Sequence, residues 1–305
     1  MAIPTTRTCE EAQILFNSDM CKGCGLCVSV CKDFSLELID GKVAKSGNPV
    51  FGCIGCGHCM AICPQGAIKI EGRFTSGTDL FPLPHKDEAT AFGPYLKLLQ
   101  RRRSMREFKD KPVEREILMK IIEAASQAPM GLPPSDVNVL VLDSAEKVRK
   151  FSFDYCDFLK GLRWMSSDWF LTLARPFWGK ENDLLFRSFV KQMMSIFIES
   201  KEKGENLVTY DAPAALYFYG SPYSDPADPI VAATYAMLAA ESLGLGTCML
   251  GGVHPFIQSG RAAEKFRKSH GIRYKSKEGL ILIMGYPAVK YKMGIKRSFA
   301  NVDWV

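Results

Sequence analysis

"CIGCGHCMAICP", residues 53–64, spaces four cysteines as C-x2-C-x2-C-x3-C and closes on a proline. The same spacing occurs upstream in "CKGCGLCVSVC", residues 21–31. Cys21, Cys24, Cys27 and Cys31 form the first run, and Cys53, Cys56, Cys59 and Cys63 the second, 22 positions after Cys31. Three thiolates separated by two residues each can reach three corners of an iron–sulfur cubane from one tight loop. Gly23, Gly25, Gly55 and Gly57 let backbone amides approach the sulfides. Structural zinc is the rival reading, but zinc knuckles pair C-x2-C units across a loop and have little use for a third cysteine two residues on. The spacing predicts two [4Fe–4S] clusters.

Over residues 15–72, including the closing "CPQGAI", the sequence resembles bacterial two-cluster ferredoxins. The resemblance implies crossed ligand sets, because the fourth cysteine of each run serves the partner cluster. One site would be Cys21, Cys24, Cys27 and Cys63, and the other Cys53, Cys56, Cys59 and Cys31. Lys32 departs from the family by standing where a proline would follow Cys31, without removing a ligand. His58, inside the second loop, is expected to face solvent. A ferredoxin unit stores and passes single electrons, so the acceptor is sought in the rest of the chain.

The totals agree with a protein of two parts. The chain has 305 residues, 47% hydrophobic and 24% charged, enough for a small domain and a larger one with a sizeable core. The start "MAIPTTRTCEEAQILF" lacks the basic and then apolar stretches of a secretory signal. No apolar run reaches the ~18 residues of a spanning helix. A cytoplasmic protein with no membrane partner is expected. Eleven cysteines without a signal favour metal over disulfides. Cys9, Cys156 and Cys248 fit no pattern and are expected to be small buried residues. The net charge is +6, yet residues 1–78 balance seven Lys/Arg against seven Asp/Glu, so the excess lies downstream. It is scattered, which argues against nucleic acid and for a phosphate-bearing small molecule.

Residues 1–74 are assigned to the ferredoxin domain. "TSGTDLFPLPHKDEATAFG" has no hydrophobic period, so residues 75–90 are a linker and 91–305 the larger domain. "YLKLLQ" begins a helix. "PVEREILMKIIEAASQAP" places Val113, Ile117, Leu118, Ile121, Ile122 and Ala125 on one helical face, between Pro112 and Pro129. "VNVLVL", "AALYFYG" and "LILIMG" predict buried strands. "DPIVAATYAMLAAESLGLG" predicts a helix with Asp228 as N-cap and Pro229 at its first position, apolar nearly all round and so fully enclosed, either within the chain or by another subunit. Phe186, Phe189, Met193, Ile196 and Phe197 recur at helical spacing. Core or dimer-interface helices are the first reading of this tract, and a substrate lid the second. Without strict βαβ alternation, the fold class is α+β, a central sheet flanked by helices.

"RRRSMREF", residues 101–108, ends a helix with charge-assisted donors of the kind that fix a phosphate. With "APMGLPPSDVNVLVL" (128–142), "GLGTCMLGG" (244–252) and the ending "GYPA…KR…VDW", it resembles the FMN-dependent nitroreductase family over residues 91–305. The resemblance implies an intertwined homodimer with FMN at the subunit interface. Arg102, Arg103 and Ser104 would engage the phosphate and ribityl chain. Arg106 would lie near the flavin N1 and C2 oxygen, Gly251 and Gly252 would offer a backbone N–H to N5, and Lys296 and Arg297 would return to the phosphate. Pro129, Met130, Gly131 and Leu132 would approach from the other subunit. Pro133, Ser135, Asp136 and Val137 replace the family's Asn, Gln, Pro and Trp, so Ser135 is the remaining candidate for a hydrogen bond there. Tyr155 and Trp164 are candidate ring neighbours, with core packing the first reading.

These features combine into an iron–sulfur flavoenzyme. Electrons would pass from two [4Fe–4S] clusters to FMN and on to a small planar acceptor such as a nitroaromatic or quinone. No acid–base pair marks a catalytic residue. The alternatives are an electron-transfer subunit of a larger complex, or a flavin-dependent reductive dehalogenase or enone reductase. No Gly-x-Gly-x-x-Gly follows a strand, so the donor is reduced ferredoxin or NAD(P)H taken directly onto the flavin.

Overall fold

A computed structural model describes residues 3–305. The first part repeats one unit twice. Strand β1 (Gln13–Phe16) precedes helix α1 (Leu26–Val30), and the hairpin β2 (Leu36–Ile39) and β3 (Lys42–Lys45) leads to α2 (His58–Ile62) and β4 (Ile68–Glu71). β1 pairs antiparallel with β4, Gln13 opposite Glu71, and β2 with β3, Leu36 opposite Lys45. Each five-residue helix starts after a left-handed glycine, Gly25 at φ 75° and Gly57 at φ 73°. Side chains disfavour that conformation. Leu36, Val43, Met60, Ile68 and Ile70 close a small core around Cys21, Cys27 and Cys59.

Residues 75–90 carry one short 3-10 turn, Lys86–Glu88, and no strand. Beyond them come α3 (Phe92–Arg101), α4 (Arg115–Ser126), β5 (Asn138–Leu142), α5 (Ala145–Gly161), α6 (Asp168–Leu185) and α7 (Lys191–Glu202). β6 (Ala214–Tyr219), α8 (Asp228–Ser242), β7 (Gly246–Leu250), α9 (Arg261–Ser269) and β8 (Gly279–Gly285) follow. The strands form one antiparallel sheet in the order β5-β6-β8-β7.

Both faces of the sheet are covered. Tyr217 and Tyr219 on β6, with Ile281 and Ile283 on β8, pack against α5 and α7 through Val148, Phe151, Tyr155, Met194 and Ile198. The alternate residues Leu216, Phe218, Leu282 and Met284 pack against α4 and α8 through Leu118, Ile121, Ala233 and Ala236. β6 and β8 therefore read as unbroken apolar runs, since neither face meets water. Each fully buried Leu or Ile contributes about 1.5–3 kcal/mol. The architecture is α+β, as the sequence predicts.

Several elements differ from expectation. β7 was not predicted as a strand. α8 has Ala227 at its N-cap; Asp228 instead accepts the Gly131 amide at 3.0 Å. Within this one chain a stripe of α8 is uncovered: Val231, Thr234 and Leu238 are half-buried and Tyr235 is exposed. In the aromatic tract, Val190, Met194 and Ile198 reach the core, whereas Phe189 and Ile196 are exposed. The burying face is rotated from the one predicted, across a π-helical turn at Phe186–Val190. Cys156 and Cys248 are buried as expected, but Cys9 is exposed, because it lies on the N-terminal arm at the surface.

That arm and the loop after β4 join the two parts. Thr6 donates through its amide and hydroxyl to the Asp136 carboxylate at 2.8 and 2.6 Å, and Ser221 donates to the same carboxylate at 2.8 Å. Arg73 donates to the Pro133 carbonyl at 2.9 Å. Among the described residues, no helix is long and apolar enough to cross a membrane.

Candidate functional site

The two cysteine runs interleave. Cys21, Cys24, Cys27 and Cys63 line one small cavity with Leu38, Val43, Ala67 and Ile68. The Val43 amide points at the Cys21 sulfur at 3.5 Å and the Ala67 amide at the Cys63 sulfur at 3.3 Å. Such N–H···S contacts stabilise a bound cluster and tune its potential. In the second group, burial and the neighbouring thiols of Cys53, Cys56 and Cys31 push the Cys59 thiol up to about 12. Cys53 is likewise raised, by burial first and then by Cys56 and Cys31. Thiolates crowded together in this way repel one another, and a cationic iron cluster would relieve that repulsion. His58 is exposed, as expected.

The second site is built around β7. Ser104 bridges Thr247, and the Met105 amide donates to the Thr247 carbonyl at 2.8 Å. Lys109 donates to the Tyr286 carbonyl at 2.8 Å, and Ala288 to that of Glu107 at 2.9 Å. "RRRSMREF" is thus laid along β7 and the chain leaving β8. Gly246 permits this, since a Cβ there would stand 2.7 Å from Met105 Cγ. The C-terminal segment returns to the same place. A Cβ on Gly294 would lie 2.8 Å from Arg103 Nη2. Arg102 loses proton affinity to burial first, then to Arg297 and Arg103, with Glu241 partly offsetting them. Arg103 and Arg297, within electrostatic reach of half-buried Arg102, give a positive group, here called the arginine cradle, that could hold an anionic phosphate.

At the far end of β7, Gly251 and Gly252 open onto a cleft of about 430 Å³. Phe189, Met193, Ile196 and Phe197 from the aromatic tract form one wall, and Val208 and Tyr210 another. Met193 and Phe197 also pack on the core beneath, in line with the first reading of this tract, while all four line the cleft beside the glycine turn. Arg106 lies over the Tyr210 ring, 5.5 Å from its centroid. No Asp, Glu, His, Lys or Arg lines the cleft. Tyr210 was missed by sequence reasoning; its left-handed backbone, φ 55°, is a property only of the fold.

Other candidates fall apart from these two sites. Tyr155 is buried, as first read, but its hydroxyl donates to the Gly252 carbonyl at 3.3 Å, behind the turn. Trp164 is exposed and packs edge-on against Phe170. The Ser135 hydroxyl accepts the Val137 amide at 3.3 Å, a local turn contact. Pro129, Met130 and Gly131 are exposed and Leu132 half-buried on a loop fixed by Asp228. Lys296 is exposed on the tail that brings Arg297 back.

Paired cysteine loops and a largely apolar cleft elsewhere on the same chain fit an iron–sulfur oxidoreductase. The chain belongs to the Nitroreductase family, whose model matches residues 99–286. A 4Fe-4S dicluster domain matches residues 13–64, so the N-terminal part is an iron–sulfur domain. Among solved structures, a Desulfitobacterium hafniense nitroreductase with bound FMN is similar at 24% identity, over 69% of this chain and 97% of that one, with a TM-score of 0.49. A Bacteroides fragilis nitroreductase with bound FMN is similar at 18% identity over the same shares, also with a TM-score of 0.49. An iodotyrosine deiodinase bound to FMN and 3-iodo-L-tyrosine shows 20% identity over 69% of this chain and 98% of that one, with a TM-score of 0.43. No curated protein matches the sequence.

Proposed function

We propose that the chain is an iron–sulfur flavoenzyme that passes electrons from two [4Fe–4S] clusters through FMN to a small, flat, uncharged acceptor, a nitroaromatic or a quinone. The observation that carries this reading is the cleft at Gly251–Gly252, which is apolar, free of charged side chains and at one end of the strand whose other end carries the arginine cradle. FMN, when bound, supplies a carrier that takes electrons singly and releases them in pairs.

Arg102, Arg103, Arg297 and Lys296 hold the phosphate, with Ser104 beside the ribityl chain. Arg106 places positive charge near the ring, where it favours the reduced, anionic form. Gly251 and Gly252 allow a planar ring to lie against the backbone. Phe189, Met193, Ile196 and Phe197 admit a flat apolar molecule and exclude water. Tyr210 is the one cleft residue with an ionisable side chain, so protons for the acceptor come from solvent. A cleft lined by no charged group favours uncharged acceptors over zwitterionic ones.

The unpartnered stripe of α8 and the exposed apolar residues Phe92, Tyr95 and Leu99 of α3 support a homodimer. Across its interface Pro129–Leu132 would reach the second flavin. We place the protein in the cytoplasm, with residues 1–74, 75–90 and 91–305 as ferredoxin domain, linker and FMN domain. The test is anaerobic reconstitution with iron, sulfide and FMN, then reduction by dithionite. Brown protein that nitroaromatics or quinones reoxidise in multiple turnovers supports the proposal. Bleached protein that none of them reoxidises, although FMN and iron are bound, removes this substrate class.

A further inference from the structure

Arg73 lies two residues beyond β4 in a left-handed conformation, φ 51°, and is 4% exposed. It has no carboxylate partner. Its guanidinium donates to the Ile54 carbonyl at 3.0 Å, Glu10 at 2.7 Å, Ile3 at 3.1 Å and Pro133 at 2.9 Å. Ile54 stands between Cys53 and Cys56 in the second cysteine loop, and Pro133 belongs to the larger domain. Two further bonds hold that loop: Ala12 donates to the Cys53 carbonyl at 2.9 Å, and Thr75 to that of Gly55 at 2.7 Å. The first loop differs. Its hydrogen bonds among the described residues stay inside the N-terminal part, as with Lys42 on the Cys21 carbonyl at 2.7 Å.

The docking point also lies at the cleft end of the sheet. Asn138, five residues after Pro133, pairs with Tyr219, which pairs with Gly279. On β7 Leu250 pairs with Ile281, two residues along from Gly279. Asn138 and Leu250 therefore stand at the same end of the sheet, about three strand spacings or ~14 Å apart across it, and the chain from Pro133 enters β5 at that end. The arginine cradle lies toward the other end.

We propose that the cluster of the second cysteine loop is the electron exit from the iron–sulfur domain, and that Arg73 is the positioning residue that holds its Ile54 peptide against Pro133. The inference rests on the flavoenzyme reading above. One electron leaves the reduced second-loop cluster, which returns to its oxidised level, and enters the flavin. A low-potential one-electron donor of the reduced-ferredoxin class replaces it by way of the first-loop cluster. Two such transfers, with one proton from solvent, would complete reduction to the anionic flavin that Arg106 favours.

The test uses the reconstituted full chain. Cys24→Ser and Cys56→Ser, each at an exposed cysteine of one loop, label which electron paramagnetic resonance signal belongs to which cluster. Arg73→Ala, Arg73→Lys and Asp136→Asn are then mixed with dithionite, and flavin bleaching is followed by stopped flow. In Arg73→Ala the second-loop signal shifts and flavin reduction slows at least tenfold. Arg73→Lys, with three donors for four carbonyls, falls between. Asp136→Asn, remote from the cysteines, loosens the Thr6 contact and slows transfer with both signals unmoved. Wild-type transfer in Arg73→Ala, or a shift confined to the first-loop signal, overturns the proposal. Should Arg73→Ala lose iron, Asp136→Asn decides alone, and an unchanged rate overturns it. Wild-type protein that takes up iron but no FMN instead sinks the flavoenzyme reading itself.

Discussion

Arg297, near the C-terminus, is brought beside Arg102, at the end of α3, and the two positive charges oppose each other there. Burial of Arg102 sharpens the conflict, and Arg103 adds to it. An arrangement that raises the cost of its own charges is relieved by an anion.

Replacing Arg102 or Arg297 with alanine therefore weakens FMN binding by roughly 10- to 100-fold, since a hydrogen bond to a charged group contributes about 1.5–3 kcal/mol. Quenching of flavin fluorescence on titration measures it. Wild-type affinity should also fall as salt is raised, and Arg297→Ala should flatten that dependence. Equal affinity in all three proteins would show that the phosphate sits elsewhere.

Gly246 and Met105 make a second test. The contact of 2.7 Å that a Cβ would make with Met105 Cγ forces the segment carrying Ser104 off β7. Gly246→Ala costs about 1–3 kcal/mol in chemical denaturation, the usual size of overpacking, and lowers FMN affinity at the same time. Gly252→Ala, whose Cβ meets only Met193 Sδ at 3.6 Å, keeps its stability and instead raises the KM for planar acceptors.

Cys63→Ala and Cys31→Ala distinguish crossed from sequential ligand sets. Cys63→Ala should remove the signal labelled by Cys24→Ser, and Cys31→Ala the one labelled by Cys56→Ser. Iron falls from about eight to about four per chain in each. Loss of the signal from the same run would establish the sequential arrangement.

Acid should destabilise the larger domain through two histidines. Burial lowers the proton affinity of His254, held between Tyr217, Gln258 and the Lys277 carbonyl, and of His270, packed on Phe151 and Phe266 beside Asp154. Both take up a proton less readily in the fold than in the unfolded chain, which is protonated as pH falls through about 6.5. Their contribution is complete above that pH and is lost below it. Far-UV circular dichroism during urea unfolding should show a lower midpoint at pH 5.5 than at 7.5, and His254→Gln should shrink the difference. Glu114, held at about 2 by the Tyr286 hydroxyl, its own backbone amide and Lys111, acts only in a more acid window, below about 4.5.

The cysteine spacing made the N-terminal part legible, because three thiols at a period of three must share one loop whatever surrounds them. β6 and β8 were legible because strands buried on both faces carry no polar residue to blur the run. β7 was not, since "GTCML" holds a glycine and no sustained β-branched pattern; it is a strand because β8 and Met105 lie against it. The arginine run could be read as a phosphate site only with the C-terminal motif. No local signal said that Gly294 and Arg297 return to Arg103 and Arg102. The aromatic tract showed its helical period but not which face is buried, because residues facing a cleft are as apolar as those facing a core. Arg73 and Asp136 look like ordinary surface charges in the sequence, and only the meeting of two distant segments gives them work.

The interleaving of the two cysteine loops has a consequence for biogenesis. Cys63 closes the group begun at Cys21, and Cys31 belongs with a group that begins at Cys53. During synthesis neither metal centre can be completed until almost the whole iron–sulfur domain has left the ribosome. With crossed ligand sets, a chain that stalls or is clipped between the loops would keep no complete half, because neither centre could be built from one loop alone.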